Sequence, residues 1–135
     1  PGLLNWSPAA RGGELRELAQ VINGRWQPGD VIYHDAAISA FPFSLYTESH
    51  PMYMLDEDLH SIGLQNIPLE KELGFKFAAL EDIPHQRAWI VYARDQLLPP
   101  RAEERMDHYV QGAVKIGTVH YMQAAPIDVY LQENK

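Results

Sequence analysis

Polar side chains follow three apolar segments of the sequence, and these residues are the first candidates for chemistry. His34 and Asp35 follow VIY, Asp56 follows PMYML, and Arg94 ends RAWIVYAR. An imidazole can act as a base or a ligand near neutral pH, and a guanidinium can hold an anion through parallel hydrogen bonds. If the three segments are parallel strands, these side chains line one edge of a sheet, where open α/β sheets bind their ligands.

The same four positions also fit a purely structural role. Polar residues are expected wherever strands end in loops, because exposed loop backbone is solvated and capped by short polar side chains. Two interpretations therefore stay open: a ligand-binding pocket formed by His34, Asp35, Asp56 and Arg94, or ordinary solvation and capping. No catalytic residue is assigned.

Nitrogen and oxygen ligand types are concentrated in one stretch of the chain, which raises the question of a metal site. The group comprises His34, Asp35, His50, Asp56, Asp58 and His60. Its spacing is unspecific, and the glycine and terminal glutamate of an EF-hand loop are missing. Scattered histidines produce such groups by chance, so we predict neither a metal nor a cofactor.

Composition excludes several classes of function. The 135-residue chain has a net charge of −7 and no run of Lys and Arg, which argues against nucleic acid and anionic lipid as partners. Because it has no cysteine, disulfides and thiolate chemistry are excluded. The sequence also contains no P-loop, GxGxxG, GxSxG or HExxH motif.

Helical periodicity identifies the first of the elements that must position these side chains. Leu15, Leu18, Ala19 and Ile22 recur at helical spacing after an irregular lead-in (residues 1–12) and predict a helix. Gly24 is its expected end. A last helix is predicted after Pro99 and Pro100, where the apolar period is kept by Ala102, Met106, Tyr109, Val110 and Ala113.

Short apolar runs between these helices predict strands. The most apolar of them, RAWIVYAR, is expected at the centre of the sheet, and the last two are expected to form an antiparallel pair. Residues 56–86 contain scattered Gly and Pro and are predicted to be mostly irregular or short helix. The predicted strands are residues 30–34, 51–55, 87–94, 114–121 and 127–131.

Together these elements predict one α/β domain covering residues 1–135. Alternating helix and buried strand favours a Rossmann-like layered sandwich with three helices and a mostly parallel sheet of about five strands, closed by an antiparallel pair. No apolar run approaches the roughly 20 residues that a membrane-spanning helix needs. The chain begins with Pro1 rather than Met, so we expect it to be part of a longer protein.

An aromatic group in the middle of the chain has two possible roles. Its members are Phe41, Phe43, Tyr46 and Tyr53. Aromatic rings stack on sugar faces and bury apolar area, so the group could hold a sugar or a lipid chain. The alternative is that these rings belong to the core or contact another domain.

The order of these segments resembles a known family. LRELAQVI, PGDVIYHD, FPFSLYT, RAWIVYAR and IDVYLQE follow one another as in the soluble region after the last transmembrane helix of bacterial GT-C type glycosyltransferases. The family comprises the dolichyl-phosphate-mannose protein mannosyltransferases and their ArnT-like relatives. The similarity covers residues 13–133, and PGDVIYH and the RxWxVYxR strand contribute most to it.

This resemblance implies a non-catalytic, extracytoplasmic accessory domain of a membrane enzyme that uses a polyisoprenyl-phosphate sugar. In that family the catalytic acidic residues lie in loops of the membrane portion, so no catalytic residue is carried over to this chain. The implied partners are the membrane-embedded part of the same polypeptide and a sugar or polyisoprenyl-linked acceptor. Two alternatives remain: an independent small hydrolase or transferase around His34 and Asp35, and a protein-binding module.

Overall fold

A computed structural model describes residues 11–36, 40, 46–47, 50–56, 74–94, 99–120 and 126–133, with side chains from residue 15 onward. Helix α1 (Arg11–Arg25) and strands β1 (Asp30–His34), β2 (Met52–Met54) and β3 (Lys76–Phe77) come first. A 3-10 helix (Leu80–Asp82) then leads to β4 (Arg87–Tyr92). Helix α2 (Pro100–Val110), β5 (Val114–Val119) and β6 (Ile127–Glu133) follow.

The six strands of the described residues form one mixed sheet in the order β3-β2-β1-β4-β6-β5. Strands β3, β2, β1 and β4 run parallel, whereas β6 is antiparallel to both β4 and β5. The predicted α/β class and the antiparallel closing pair are confirmed. About five strands were predicted and six are described, because β3 adds one. The orientation is mixed because β6 runs antiparallel to β4 and β5.

Helix α1 buries the apolar stripe that the sequence predicts. Leu15, Leu18, Ala19 and Ile22 are all at most 1% exposed, and each large apolar side chain contributes about 1.5–3 kcal/mol when buried. The predicted end at Gly24 is wrong, because Gly24 lacks the positive φ of a helix cap and the helix continues to Arg25. The predicted lead-in is also too long, since α1 begins at residue 11, and residues 1–10 lie outside the described residues.

Strand β4 lies inside the sheet, as predicted, with β1 on one side and β6 on the other. Side chains alternate along it between two faces. Ile90 pairs with Tyr33, whose ring meets Tyr109 of α2 edge-on at 5.6 Å, which defines the α2 face of the sheet. Trp89 points to the opposite face, where the guanidinium of Arg25 lies 5.5 Å from its ring. We call this the α1 face.

Helix α2 begins as the proline pair predicts. Pro100 occupies the first turn, where a missing N–H costs nothing. Ala102, Met106 and Tyr109 are buried. The prediction that the helical period reaches Ala113 is wrong, because the helix ends at Val110 and Gly112, with φ 77°, turns the chain towards β5.

The region predicted to be mostly irregular or short helix contains a strand and a 3-10 helix in its described part. Strand β3 pairs with β2 over two residues, and the 3-10 helix follows three residues later. Residues 57–73 lie outside the described residues. Three helices were predicted, one of them without bounds, and the described residues contain two α-helices. Neither of these two is long and apolar enough to cross a bilayer.

A buried carboxylate joins the starts of β1 and β4 on the α1 face. Asp30 accepts hydrogen bonds from Arg87 Nε at 2.9 Å and Nη2 at 2.8 Å, from Trp89 Nε1 at 3.0 Å, and from the N–H of Gln27 at 3.0 Å. Burial alone would raise the pKa of Asp30, but these hydrogen bonds and the charge of Arg87 outweigh it and lower the pKa. Asp30 is therefore held as an anion.

Candidate functional site

His34 is the last residue of β1 and is completely buried. It lies two residues from Ile32, the partner of Trp89 in the parallel register, so its side chain points to the α1 face. Burial lowers the pKa of His34 to about 3, which keeps the imidazole neutral at physiological pH. His34 is therefore uncharged in the folded protein near neutral pH.

Asp35 follows directly and is also completely buried. Its carboxylate oxygens accept the backbone N–H groups of Ala93 at 2.8 Å and Arg94 at 3.0 Å. These bonds join the end of β1 to the turn after β4. Arg94 there has φ 54°, a left-handed conformation that costs a non-glycine residue about 1–2 kcal/mol. The structure thus brings two of the four predicted residues together, through the backbone of Arg94.

The Arg94 side chain belongs to a cluster that the sequence did not reveal. Its guanidinium donates to the carboxylate of Asp128 and, at 3.2 Å, to the hydroxyl of Tyr130. Asp128 also accepts the hydroxyl of Thr118 at 2.6 Å and lies 3.3 Å from the ammonium of Lys115. We call these five residues the Asp128 cluster.

Hydrogen bonds and neighbouring charges keep Asp128 and Arg94 of the Asp128 cluster ionised. Burial would raise the pKa of Asp128, but the bonds from Thr118 and Arg94 and the positive charges of Arg94 and Lys115 outweigh it and lower the pKa. Burial would likewise lower the pKa of Arg94, and its bonds to Tyr130 and Asp128 raise it. The acid is therefore ionised and the guanidinium charged near neutral pH.

The cluster lies on the opposite face of the sheet from His34. Asp128 pairs with Tyr92, which is two residues beyond Ile90 and therefore shares the α2 face with Tyr33. The Arg94 guanidinium lies 4.2 Å from the centre of the Tyr92 ring. The structure therefore places the predicted imidazole and the predicted anion clamp on different faces, rather than around one pocket.

Asp56, the fourth predicted residue, belongs to a separate network near α2. Its carboxylate lies 3.8 Å from the guanidinium of Arg105, which reaches the hydroxyl of Tyr109 at 3.5 Å. That hydroxyl donates to Glu81 at 2.6 Å and accepts the N–H of Leu80 at 3.2 Å. The bond from Tyr109 lowers the pKa of Glu81, while burial and this bond raise the pKa of Tyr109.

Glu81 and Tyr109 border a cleft of about 760 Å³ between the 3-10 helix, the C-terminal end of α2 and the end of β6. The other polar residues in its lining are Asp82, His85, His108, Gln111, Gln132 and Glu133. Glu133 pairs with Arg87, the first residue of β4, so the cleft lies at the opposite end of β4 from the predicted site. Sequence reasoning missed it because residues 56–86 were predicted only as mostly irregular or short helix, without bounds for any helix.

The nitrogen- and oxygen-bearing residues that raised the question of a metal site do not form a cluster where they are described. Across the described ranges, no group of three His, Asp or Glu side chains can hold a metal ion. His50 instead stacks on Trp26, with ring centroids 3.6 Å apart, and its Nε2 is bonded to Asn23 at 2.8 Å. Asp58 and His60 lie outside the described residues.

Half of the aromatic group falls within the described residues. Tyr46 is half-buried, its carbonyl accepts a bond from Asn23 of α1 at 3.0 Å, and Arg16 lies 5.4 Å from its ring. Tyr53 is also half-buried and lies 5.9 Å from the ammonium of Lys76. Both rings pack against the buried core. Phe41 and Phe43 lie outside the described residues.

The chain was compared with protein families, with curated proteins and with solved structures. No family model, no curated protein and no solved structure matches the chain. Any functional assignment therefore rests on the residues and their geometry.

Proposed function

We propose that this chain is a non-catalytic, extracytoplasmic accessory domain of a bacterial membrane glycosyltransferase that uses a polyisoprenyl-phosphate sugar. In this proposal upstream membrane helices tether the domain at the outer face of the membrane. It contributes to acceptor recognition or covers the membrane active site. The acidic residues that catalyse transfer lie in the membrane portion of the same polypeptide.

One observation carries the proposal: the two phrases that contribute most to the family resemblance are in direct contact. Asp30 of PGDVIYH accepts hydrogen bonds from Arg87 and Trp89, which are the R and W of RxWxVYxR. These residues are 57 and 59 positions away along the chain. A shared fold gives a physical reason for both phrases to occur in one sequence, because each supplies one half of a buried polar contact.

The disposition of the elements supports a finer part of the same proposal, the Rossmann-like layered sandwich. Helix α1 reaches Trp89 on one face of the sheet through Arg25, and α2 reaches Tyr33 on the other face through Tyr109. A parallel β2-β1-β4 core with a helix on each face is the arrangement that such a sandwich requires. We therefore include this layering in the proposal.

The roles of the polar side chains support an accessory rather than a catalytic domain. Both oxygens of Asp35 accept backbone N–H groups, and Arg94 is tied to Asp128. Each interaction joins one strand end to another. The alternative, an independent enzyme around His34 and Asp35, requires substrate to reach two side chains that are completely buried. It is the weaker hypothesis for that reason.

The decisive test uses the intact gene product. We expect several apolar spans of about 20 residues upstream of this domain, and transfer of sugar from a polyisoprenyl-phosphate donor by the intact protein. Deleting residues 13–133 should impair that transfer, whereas the exposed substitution Glu104→Gln should leave it unchanged. The domain by itself should transfer no sugar.

Three results would overturn the proposal. These are a coding sequence without upstream spans, an intact protein without glycosyl transfer, and an isolated domain that turns over substrate. In the last case, loss of turnover in a folded His34→Ala variant would establish the alternative enzyme.

A further inference from the structure

Two cations converge on one carboxylate on the α2 face of the sheet. Arg94, after β4, and Lys115, on β5, both contact Asp128 of β6. The Asp128 cluster therefore has a net charge of +1, since Thr118 and Tyr130 are neutral, in a chain whose net charge is −7. A local excess of positive charge attracts anions.

Both cations are open to solvent while their partner is not. The side chains of Arg94 and Lys115 are 40% and 52% exposed, whereas that of Asp128 is 9% exposed. A guanidinium has five N–H donors and an ammonium has three. Bonds to described residues use two donors of Arg94 and one of Lys115. The remaining donors can face a ligand.

The guanidinium is also held in one orientation. Asp128 and Tyr130 bond to its two terminal nitrogens, and the ring of Tyr92 lies beneath it at 4.2 Å. Such fixation lowers the entropy that a flexible arginine would lose on binding. Two carboxylates lie nearby and weaken the attraction: Asp107 of α2, bonded to the Tyr92 hydroxyl at 3.0 Å, and Asp35, bonded to the backbone N–H of Arg94 at 3.0 Å.

The backbone of Arg94 adds an independent observation. Its left-handed φ of 54° is strained for a residue with a long side chain, and the buried Asp35 holds this turn in place with two hydrogen bonds. Strained backbone that surrounding structure maintains is concentrated at functional sites. At this strained position the arginine side chain lies over the ring of Tyr92.

We propose that Arg94 and Lys115 form a binding site for a phosphate group. A tetrahedral phosphate presents several oxygens, so one can accept from the guanidinium while another accepts from the ammonium. Its negative charge balances the net charge of the cluster. The phosphate can belong to a lipid headgroup or to a soluble ester, and the chemistry of recognition is the same. This inference goes beyond the accessory function and does not depend on it.

The test is a titration of the chain with inorganic phosphate and with pyrophosphate. Binding is monitored through the NMR chemical shifts of residues in β4, β5 and β6. Saturable shifts should appear around Arg94 and Lys115 and weaken as salt is raised. Lys115→Gln should weaken binding about tenfold, because it removes a charge-assisted hydrogen bond. Lys76→Gln removes the same charge at the opposite edge of the sheet and should leave the affinity unchanged.

A second variant tests whether a loss of affinity reflects binding rather than folding. Vesicles test whether the bound phosphate belongs to a lipid or to a soluble molecule. Arg94→Gln should weaken binding at least as much as Lys115→Gln. The Lys115 side chain is exposed, so Lys115→Gln can remove its charge without disturbing the core. Cosedimentation with phosphatidylcholine vesicles, with and without phosphatidic acid, distinguishes a lipid phosphate from a soluble one. The proposal is overturned if neither phosphate nor pyrophosphate gives saturable shifts, or if Lys76→Gln weakens binding as much as Lys115→Gln.

Discussion

Asp30 stabilises the fold through a single carboxylate that bonds to two strands and a turn. Replacing it by asparagine keeps the shape but removes the charge that Arg87 needs. We expect Asp30→Asn to lower the free energy of unfolding by about 3–5 kcal/mol, as for other broken buried ion pairs. Urea denaturation measures the loss. The matched control is Asp82→Asn, at an exposed position of the 3-10 helix, which should stay within about 0.5 kcal/mol of wild type. Equal losses in both variants would show that the buried pair is unimportant.

His34 makes stability depend on pH in the mildly acidic range. Its folded pKa of about 3 lies below the ordinary value of 6.5, so the unfolded chain binds the extra proton between these values. Stability should therefore fall as pH is lowered from 6.5, by about 1.4 kcal/mol per pH unit, and level off near the folded pKa. Asp30 and Asp128, whose pKa values are lowered in the folded protein, affect stability only at lower pH. Their contribution to the free energy of unfolding is lost as pH falls below the ordinary pKa of 3.8.

His34→Gln should flatten the stability profile between about pH 6.5 and about pH 4.5, measured by denaturation at each pH. The slope is informative even if the variant is less stable overall. His108→Gln removes an exposed imidazole instead and should retain the wild-type slope. A slope that persists in His34→Gln would assign the dependence to other groups.

Single residues also show how far the sequence predicts a site. Asp35 and Arg94 were predicted as neighbours at a strand end, and the structure brings them together. Asp128 was missed, although an acid inside the apolar segment IDVYL is a recognisable signal, since buried charges need partners. Its partners could not be identified, because Arg94 is 34 positions away and only the antiparallel register brings the two together.

At the scale of elements, Gly29 determines how β1 begins. Its φ is 90°, and a Cβ at this position would lie 2.6 Å from Cγ and 3.1 Å from Cβ of Gln86. Gly112, between α2 and β5, also has a positive φ of 77°, but no described atom outside its chain neighbours lies within 4 Å of the point that a Cβ would occupy there. A side chain at either glycine would thus meet backbone strain, and only the one at Gly29 would also meet a steric clash.

Gly112→Ala should lower the free energy of unfolding by about 1–2 kcal/mol, the cost of a left-handed non-glycine residue. Gly29→Ala should cost more, because Gln86 and its bond to the Gly29 carbonyl must also shift. Thermal or urea denaturation of both variants gives the comparison. Equal losses would mean that Gln86 moves aside freely.

Elements were predicted where enough residues repeat a pattern. Helices α1 and α2 and strands β1 and β4 each bury a periodic or continuous apolar set, which the sequence displays directly. Strand β3 has two residues, too few for any period, and the 3-10 helix has three. Such short elements form because neighbouring strands and Tyr109 supply hydrogen bonds, and this tertiary information is not local in the sequence.

At the scale of the molecule, the last strand of the described chain is an interior strand. Strand β6 pairs with β4 on one side and β5 on the other, and Ile127, Val129 and Leu131 are buried. Sequence predicted the closing pair but not this insertion, because adjacency in sequence favours neighbours without deciding which strand of the pair meets the sheet. This strand is held by hydrogen bonds on both sides.

Native-state hydrogen exchange tests this arrangement. Amides of β6 should be protected to the same free energy as those of β1 and β4, because opening β6 separates β5 from the sheet and exposes Val129 and Leu131. Edge strands β3 and β5 should exchange at lower free energy. A single substitution that weakens the fold globally, Asp30→Asn, should then lower the protection of β1, β4 and β6 by the same amount. If β6 instead exchanged by local fraying and ignored that substitution, the closing pair would be an appendage to the sheet rather than part of its cooperative unit.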